Sequence, residues 1–258
     1  KGALRPARRD RAQREGAPVT PVLLAFDTSN DRLGAALGAG DRAWLADAPG
    51  GVLASSTLLP QLEALLREAG LAWSAIDAIG FGQGPGAFTG LRASCAVAQG
   101  LAFGLGKPVL ALDSLLLLAE DARVQCEAPA IPFEVEVAVD ARIDEVYAAR
   151  YRHDGSAWSI VRPPALYTLA AYRERAGAAP VLAGNAAAVF GERLGIAAST
   201  HVVAAERSRA AALLALARAA WDAGERLDPA QAQPLYLRDK VALTSAERAA
   251  ARERRAGR

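Results

Sequence analysis

Two aspartates and one glycine-rich segment are the residues of this chain best suited to chemistry. Asp27 closes the apolar run Val22–Asp27 (VLLAFD), and Asp140 closes Val135–Asp140 (VEVAVD). A carboxylate at a strand end can orient magnesium or water against a nucleotide phosphate, or it can accept N–H bonds from the turn that follows. Thr28 adds a hydroxyl beside the first of them, so Asp27, Thr28 and Asp140 are the residual phosphate-cleft candidates. The third feature is Phe81-Gly-Gln-Gly-Pro-Gly-Ala-Phe-Thr-Gly-Leu-Arg92. A strand, a glycine turn and a helix either present backbone N–H groups to a phosphate or let the helix press hard against a neighbour.

Several kinds of chemistry lack their residues. No GxxxxGK[ST] motif occurs, and neither Thr28-Ser29-Asn30 nor Ala141-Arg142-Ile143 supplies the glycine of a phosphate-cradling hairpin. The only histidines, His153 and His201, form no HExxH pair, and no GxSxG elbow is present. Cys95 and Cys126 have no paired spacing and suit a reducing compartment. We therefore assign no catalytic residue, no cofactor and no metal ligand from the sequence.

The helix behind the glycines is more informative than the loop. From Phe88 to Leu105 its residues are small on nearly every side, with Gly90, Gly100 and Gly104 inside it. A glycine within a helix costs about 0.5–1 kcal/mol relative to alanine, so each implies a compensating close contact. The preceding helical pattern, Thr57–Ala69, carries Leu58, Leu59, Leu62, Leu65 and Leu66. We expect a partner-docking surface of Leu58, Leu59, Leu62, Leu65, Phe88, Thr89, Arg92, Ala93, Ala96, Val97 and Gly100. Phosphate binding at the glycine segment remains the alternative.

These residues must be positioned by an α/β framework. Strands are expected at Val22–Asp27, Leu33–Leu37, Ala43–Ala46, Ala75–Phe81 and Val109–Leu112, with a third helix at Ser114–Ala122. The order β-β-β-α-β-α-β-α then begins again. Asp140 lies 113 residues after Asp27, and at that offset Leu33–Leu37 falls on Val146–Arg150. Trp44 matches Trp158 after a one-residue gap. Later elements are helices at Thr168–Arg175, Asn185–Leu194 and Ala205–Ala223 and a strand at Val181–Ala183. Two subdomains on one plan, each opening with an Asp-ended hairpin of a mixed sheet, suggest an actin-like fold. The expected divisions are a basic disordered extension at 1–20, subdomains at 21–125 and 126–241, and a basic tail at 242–258.

Charge follows that division. Residues 1–20 carry six basic against two acidic side chains, and 247–258 carry five against two, which leaves 21–246 at −5 within a total of +2. The basic ends could meet RNA phosphates, but an acidic body does not favour RNA binding alone. No apolar run reaches the roughly 18 residues of a membrane span. The basic opening residues lead into no apolar h-region, so no signal peptide is expected.

In order, VLLAFDTSNDRLGAAL, LLPQLEALL, GQGPGAFTGLRASCAVAQGLAFGLGKPVLALDSL, AVDARIDEVYAARY and QPLYLRDKVA resemble the bacterial TsaB family from about Val22 to Val241. The resemblance implies an actin-like (ASKHA) fold, a cytoplasmic location and a non-catalytic role. Such a subunit dimerises with its catalytic paralog TsaD to form threonylcarbamoyladenosine beside the anticodon of tRNAs that read codons starting with A. It also implies the ATPase TsaE as a further partner, tRNA contact through the complex, and a homodimer when the subunit is alone. The helices at Thr57–Ala69 and Phe88–Leu105 would form the dimer surface. An actin-like ATP-binding enzyme acting alone is the alternative. Many family members have a histidine before the LLP segment, where this chain has Ala54-Ser55-Ser56-Thr57. Nothing in the sequence supports peptidase activity.

Overall fold

A computed structural model describes residues 20–51, 54–126, 131–177 and 179–238. The expected basic extension, save its last residue, and the whole basic tail lie outside the described residues. The first half runs β1 (Val22–Asp27), β2 (Arg32–Ala39), β3 (Arg42–Pro49), α1 (Ala54–Ala69), β4 (Ala78–Gly84), α2 (Phe88–Leu105), β5 (Val109–Asp113) and α3 (Ser114–Gln125). The second half runs β6 (Phe133–Asp140), β7 (Glu145–His153), β8 (Trp158–Thr168), α4 (Leu169–Ala176), β9 (Val181–Ala183), α5 (Ala186–Phe190), β10 (His201–Val203) and α6 (Arg209–Asp222).

The two halves therefore repeat the same order, element for element. Their sheets repeat it as well: β3-β2-β1-β4-β5 in one and β8-β7-β6-β9-β10 in the other. In each, an antiparallel hairpin joins strands that run parallel, as β1 does with β4 and β6 with β9. The chain is thus α/β with two mixed five-stranded sheets, the actin-like plan that the repeat suggests. β1 is apolar up to Asp27 because it is central and covered on both faces.

Helices cover both sheets. α1 and α2 bury Leu58, Leu62, Cys95 and Ala98 against Leu24, Phe26 and Phe81 of the first sheet. Each fully buried leucine contributes about 1.5–3 kcal/mol. α3 lies between the sheets, giving Leu117 to one and Leu115 and Ala119 to the other. α4 and α5 cover the far face of the second sheet through Leu169, Tyr172 and Phe190. The last strand of the first sheet ends at Asp113 and the first strand of the second begins at Phe133, but α6 returns to the first sheet. Its Leu213, Leu216 and Ala217 pack on Leu23 and Ala25 of β1.

Several boundaries differ from the sequence reading, each for a local reason. β4 begins at Ala78 after a 3-10 turn at Trp73–Ala75 and runs on through Gly82 to Gly84, so two of the four segment glycines are strand residues. α6 starts at Arg209 because the Ser208 hydroxyl accepts the Ala211 N–H and caps it. The expected helix at Asn185–Leu194 is α5 followed by a 3-10 turn at Gly191–Leu194.

Candidate functional site

The first turns of the two repeats face each other across a cleft of about 670 Å³. Ser29–Arg32 line it from one side, Asp140–Ile143 from the other, and Leu235–Arg238 close it along an edge. Its described lining carries Arg32, Arg142 and Arg238 against Asp31, Asp140 and Glu206. The charges balance, so the cleft has no cationic surplus for a polyphosphate.

Asp27 does not reach this cleft as a free ligand. It is fully buried, and its Oδ1 accepts the Ser29 N–H at 2.7 Å and an Arg209 N–H at 2.8 Å. Its Oδ2 accepts the Ser114 hydroxyl at 2.6 Å. Arg209, itself 1% exposed, also grips the Glu206 carboxylate at 2.5 Å. Burial alone would lower the Arg209 pKa, but Asp27 and Glu206 hold it above its ordinary value. The guanidinium is thus a fixed internal counter-ion for Asp27.

Thr28 is equally enclosed. Its hydroxyl donates to the Gly90 carbonyl at 2.8 Å and lies 2.8 Å from the Ser94 hydroxyl, while its N–H donates to Ser94 at 3.1 Å. The phosphate-cleft reading of Asp27 and Thr28 is therefore corrected: both bind the β1–β2 turn to its neighbours. Asp140 does face the cleft. Its Oδ1 accepts the Arg142 N–H at 2.8 Å, the same two-residue turn bond that Asp27 makes with Ser29. Arg142 closes an ion pair on Asp140 at 3.3 Å.

The glycines serve this enclosure. A Cβ on Gly82 would sit 1.6 Å from Asp27 Oδ2, and one on Gly90 would sit 1.9 Å from the Thr28 carbonyl oxygen. The close contact inferred for Gly90 is made inside the chain. Gly100 and Gly104 differ: a Cβ on either would meet nothing within 4 Å. No contact within the described chain accounts for them.

The expected docking surface divides in the same way. Leu58, Leu62 and Leu65 are buried in the core on the inward face of α1, and that part of the expectation is corrected. Their i, i+4 and i+7 spacing marks the face that packs on the sheet. Leu59 points outward and is 42% exposed. On α2, Thr89, Arg92, Ala96 and Gly100 are exposed, and Phe88, Ala93 and Val97 are half-buried. Phe103, which the sequence reading omitted, is 59% exposed on the same helix.

Sequence reasoning also omitted Arg209, Glu206, Tyr236 and Arg238. Ser208-Arg209-Ala210 reads like any solvated helix start, and only the tertiary fold brings Arg209 to Asp27. Tyr236 packs on Phe88 with ring centroids 5.0 Å apart, and its hydroxyl accepts an Arg92 N–H at 3.0 Å.

The remaining candidates are local. His153 is half-buried beside Trp158, its ring accepts the Gly155 N–H, and its pKa is lowered by burial and by Arg123. His201 is exposed. Burial raises the Cys95 thiol, which donates to the Ala232 carbonyl. Among the described residues, no group of three or more His, Cys, Asp or Glu side chains stands together as a metal site. No helix among them is long and apolar enough to cross a membrane.

Known proteins are similar to this chain in sequence and in fold. The family model for TsaD, tRNA N6-adenosine threonylcarbamoyltransferase, matches residues 53–244. A relative from Haemophilus influenzae, "tRNA threonylcarbamoyladenosine biosynthesis protein TsaB", is 38% identical over 131 residues, 49% of this chain and 52% of its own. Its Escherichia coli namesake is 37% identical over 97 residues, 38% of this chain and 40% of its own. The chain thus spans about half the length, or less, of the curated relatives it matches. A crystal structure from Pseudomonas aeruginosa, described as similar to peptidase YeaZ, superimposes with a TM-score of 0.76 at 38% identity. It covers 85% of this chain and 100% of its own. With a family model matched over most of its length and TsaB relatives at this identity, the chain belongs to the TsaB family, within the wider TsaD group.

Proposed function

We propose that this protein is a non-catalytic subunit that pairs with a TsaD-type threonylcarbamoyltransferase and supports the formation of threonylcarbamoyladenosine in tRNA. The observation that carries the reading is the outer face of α2. Gly100 and Gly104 weaken that helix by about 0.5–1 kcal/mol each and have no contact of their own chain in return. A second helix could approach there at close range, flanked by the exposed Phe103 and by Leu59 of α1. The docking surface is thus reduced to Leu59, Thr89, Arg92, Ala93, Ala96 and Gly100, with Phe103 added and Phe88 and Val97 at its margins.

The enclosure of Asp27 supports the non-catalytic part. Its carboxylate oxygens are occupied by Arg209, Ser114 and Ser29, so it has no free position for a magnesium ion or an attacking water. The names of the relatives support the pathway. An ATPase of the TsaE type as a third member, a homodimer when the subunit is alone, and a cytoplasmic setting belong to the same reading.

The test is co-elution and activity. The isolated protein should show no transferase activity and should restore it when mixed with a TsaD-type partner. Gly100→Glu should abolish co-elution on size-exclusion chromatography while leaving the circular dichroism spectrum unchanged. Retained binding by that variant would remove the interface assignment. The open cleft favours one second reading, an actin-like enzyme that binds ATP alone. Calorimetry showing tight magnesium-ATP binding by the lone protein, lost in Asp140→Ala, would favour it.

A further inference from the structure

We propose that Gln233–Arg238 forms a strap that joins the docking helix α2 to the second sheet, so that a protein seated on α2 alters the freedom of the β6–β7 turn. Both the docking place on α2 and the identity of the seated protein rest on the reading above.

The strap is anchored on the first half by backbone and side-chain bonds. The Leu235 N–H donates to the Gln83 carbonyl of β4 at 2.8 Å, and the Gln83 amide donates to the Gln233 carbonyl at 3.1 Å. Just before it, the Gln99 amide of α2 donates to the Pro229 and Ala232 carbonyls at 3.2 and 3.1 Å. Mid-strap, Tyr236 stacks on Phe88, and the Arg92 guanidinium lies 3.7 Å from the centroid of that same Phe88 ring. Arg92 also donates to the Tyr236 hydroxyl. Arg92 is exposed on the face of α2 where we place the partner.

The far end is held differently. Among the described residues, the strap's hydrogen bonds to the second half come from Arg238. It donates to the Ala141 carbonyl at 2.6 Å and pairs with Glu145 at 2.6 Å, bracketing the β6–β7 turn. That turn holds Arg142, Ile143 and Asp144 at φ of 68°, 56° and 57°. Left-handed backbone is unfavourable for a β-branched Ile143, so the turn depends on its neighbours to stay in place. Between the anchors, Leu235, Tyr236, Leu237 and Arg238 wall the cleft. A partner that draws Arg92 away from Tyr236 would therefore act along one short segment that ends on this turn. Coupling of this kind requires that docking change the free energy of the Tyr236–Arg92 contact.

Hydrogen–deuterium exchange on the full chain tests this, with and without a saturating TsaD-type partner. In the free chain, Arg238→Gln should speed exchange of the 142–146 amides about tenfold and leave β1 and β4 unchanged. No change there would overturn the strap. Partner binding should shift exchange of the same amides in the wild-type chain. Tyr236→Ala should still form the complex but lose that response. A wild-type turn indifferent to the bound partner, or a Tyr236→Ala chain that no longer binds, would overturn the coupling. If the wild-type chain binds no such partner, the proposed function fails instead, and Arg238→Gln still decides whether the strap exists.

Discussion

Replacing Arg209 with methionine should show how much of this fold rests on the enclosed Asp27. The substitution keeps most of the side-chain stem and removes the guanidinium. Asp27, with no solvent exposure, would lose its 2.8 Å ion pair, and Glu206, at 6% side-chain exposure, would lose its 2.5 Å one. Asp27 would keep the Ser114 hydroxyl and the Ser29 N–H but no cation. Breaking a buried pair from one side costs about 3–5 kcal/mol, because the remaining charge is desolvated and uncompensated. For a chain of this size each kcal/mol is about 2–4 °C, so the expected loss is about 6–20 °C in Tm. Urea unfolding of the wild type, Arg209→Met, Asp27→Asn and the double variant supplies the full cycle. The double variant should regain about 1–3 kcal/mol over Arg209→Met, since a neutral amide needs no counter-ion. Recovery should be incomplete because Glu206 stays charged. A single-variant loss below about 1 kcal/mol, or a double variant no better than the single, would refute the role of Arg209 as the counter-ion of Asp27.

Two further outcomes follow from the same geometry. Gly90→Ala places a methyl 1.9 Å from a backbone oxygen, so α2 or the β1–β2 turn must move, at about 1–3 kcal/mol. Gly100→Ala has open space and should instead stabilise the isolated chain by about 0.5–1 kcal/mol, and thermal melts of the two variants should shift in opposite directions. Asp113 supplies a pH test. Burial raises its pKa above the ordinary 3.8, against the lowering effect of its bonds from Tyr151, Leu115 and Leu116. A carboxyl whose folded value is raised contributes stability that is complete below the unfolded value and is lost as pH rises through the folded one. Asp113→Asn keeps a cap acceptor for α3 and should remove up to about one proton from the slope of stability against pH above pH 4. An unchanged slope would show that Asp113 is not a source of the pH dependence.

The fold was readable from sequence because its repeat is written in strand patterns. Val22–Asp27 and Val135–Asp140 are short strand patterns rich in apolar residues that end in the same residue at the same place in equivalent sheets. What the sequence hid was weakly patterned or made by distant residues. β10 is as short as β9 but opens on the polar His201 where β9 is apolar throughout, and β8 carries Pro163 and Pro164 with register shifts against β7, so it shows no alternation. The role of the α1 leucine face is not legible in sequence, because leucine spacing reveals that a helix has an apolar side, not whether the chain's own sheet or a partner covers it. The glycines show the same limit from the other direction. All of those in α2 imply a close neighbour, but Gly90 meets Thr28 of its own chain, and Gly100 meets nothing. Composition cannot separate these cases, because both are a missing Cβ on a helix. Only the path of the β1–β2 turn separates them, and Asp27 and Thr28 fix that path through Arg209, Ser114 and Ser94. The Asp27 carboxylate, a phosphate-cleft candidate by its place in the sequence, thus anchors the turn against which α2 is pressed. On that basis, Gly100 and Gly104 on the outer face of α2 stand without a neighbour among the described residues, which is the feature on which the proposed docking of a partner rests.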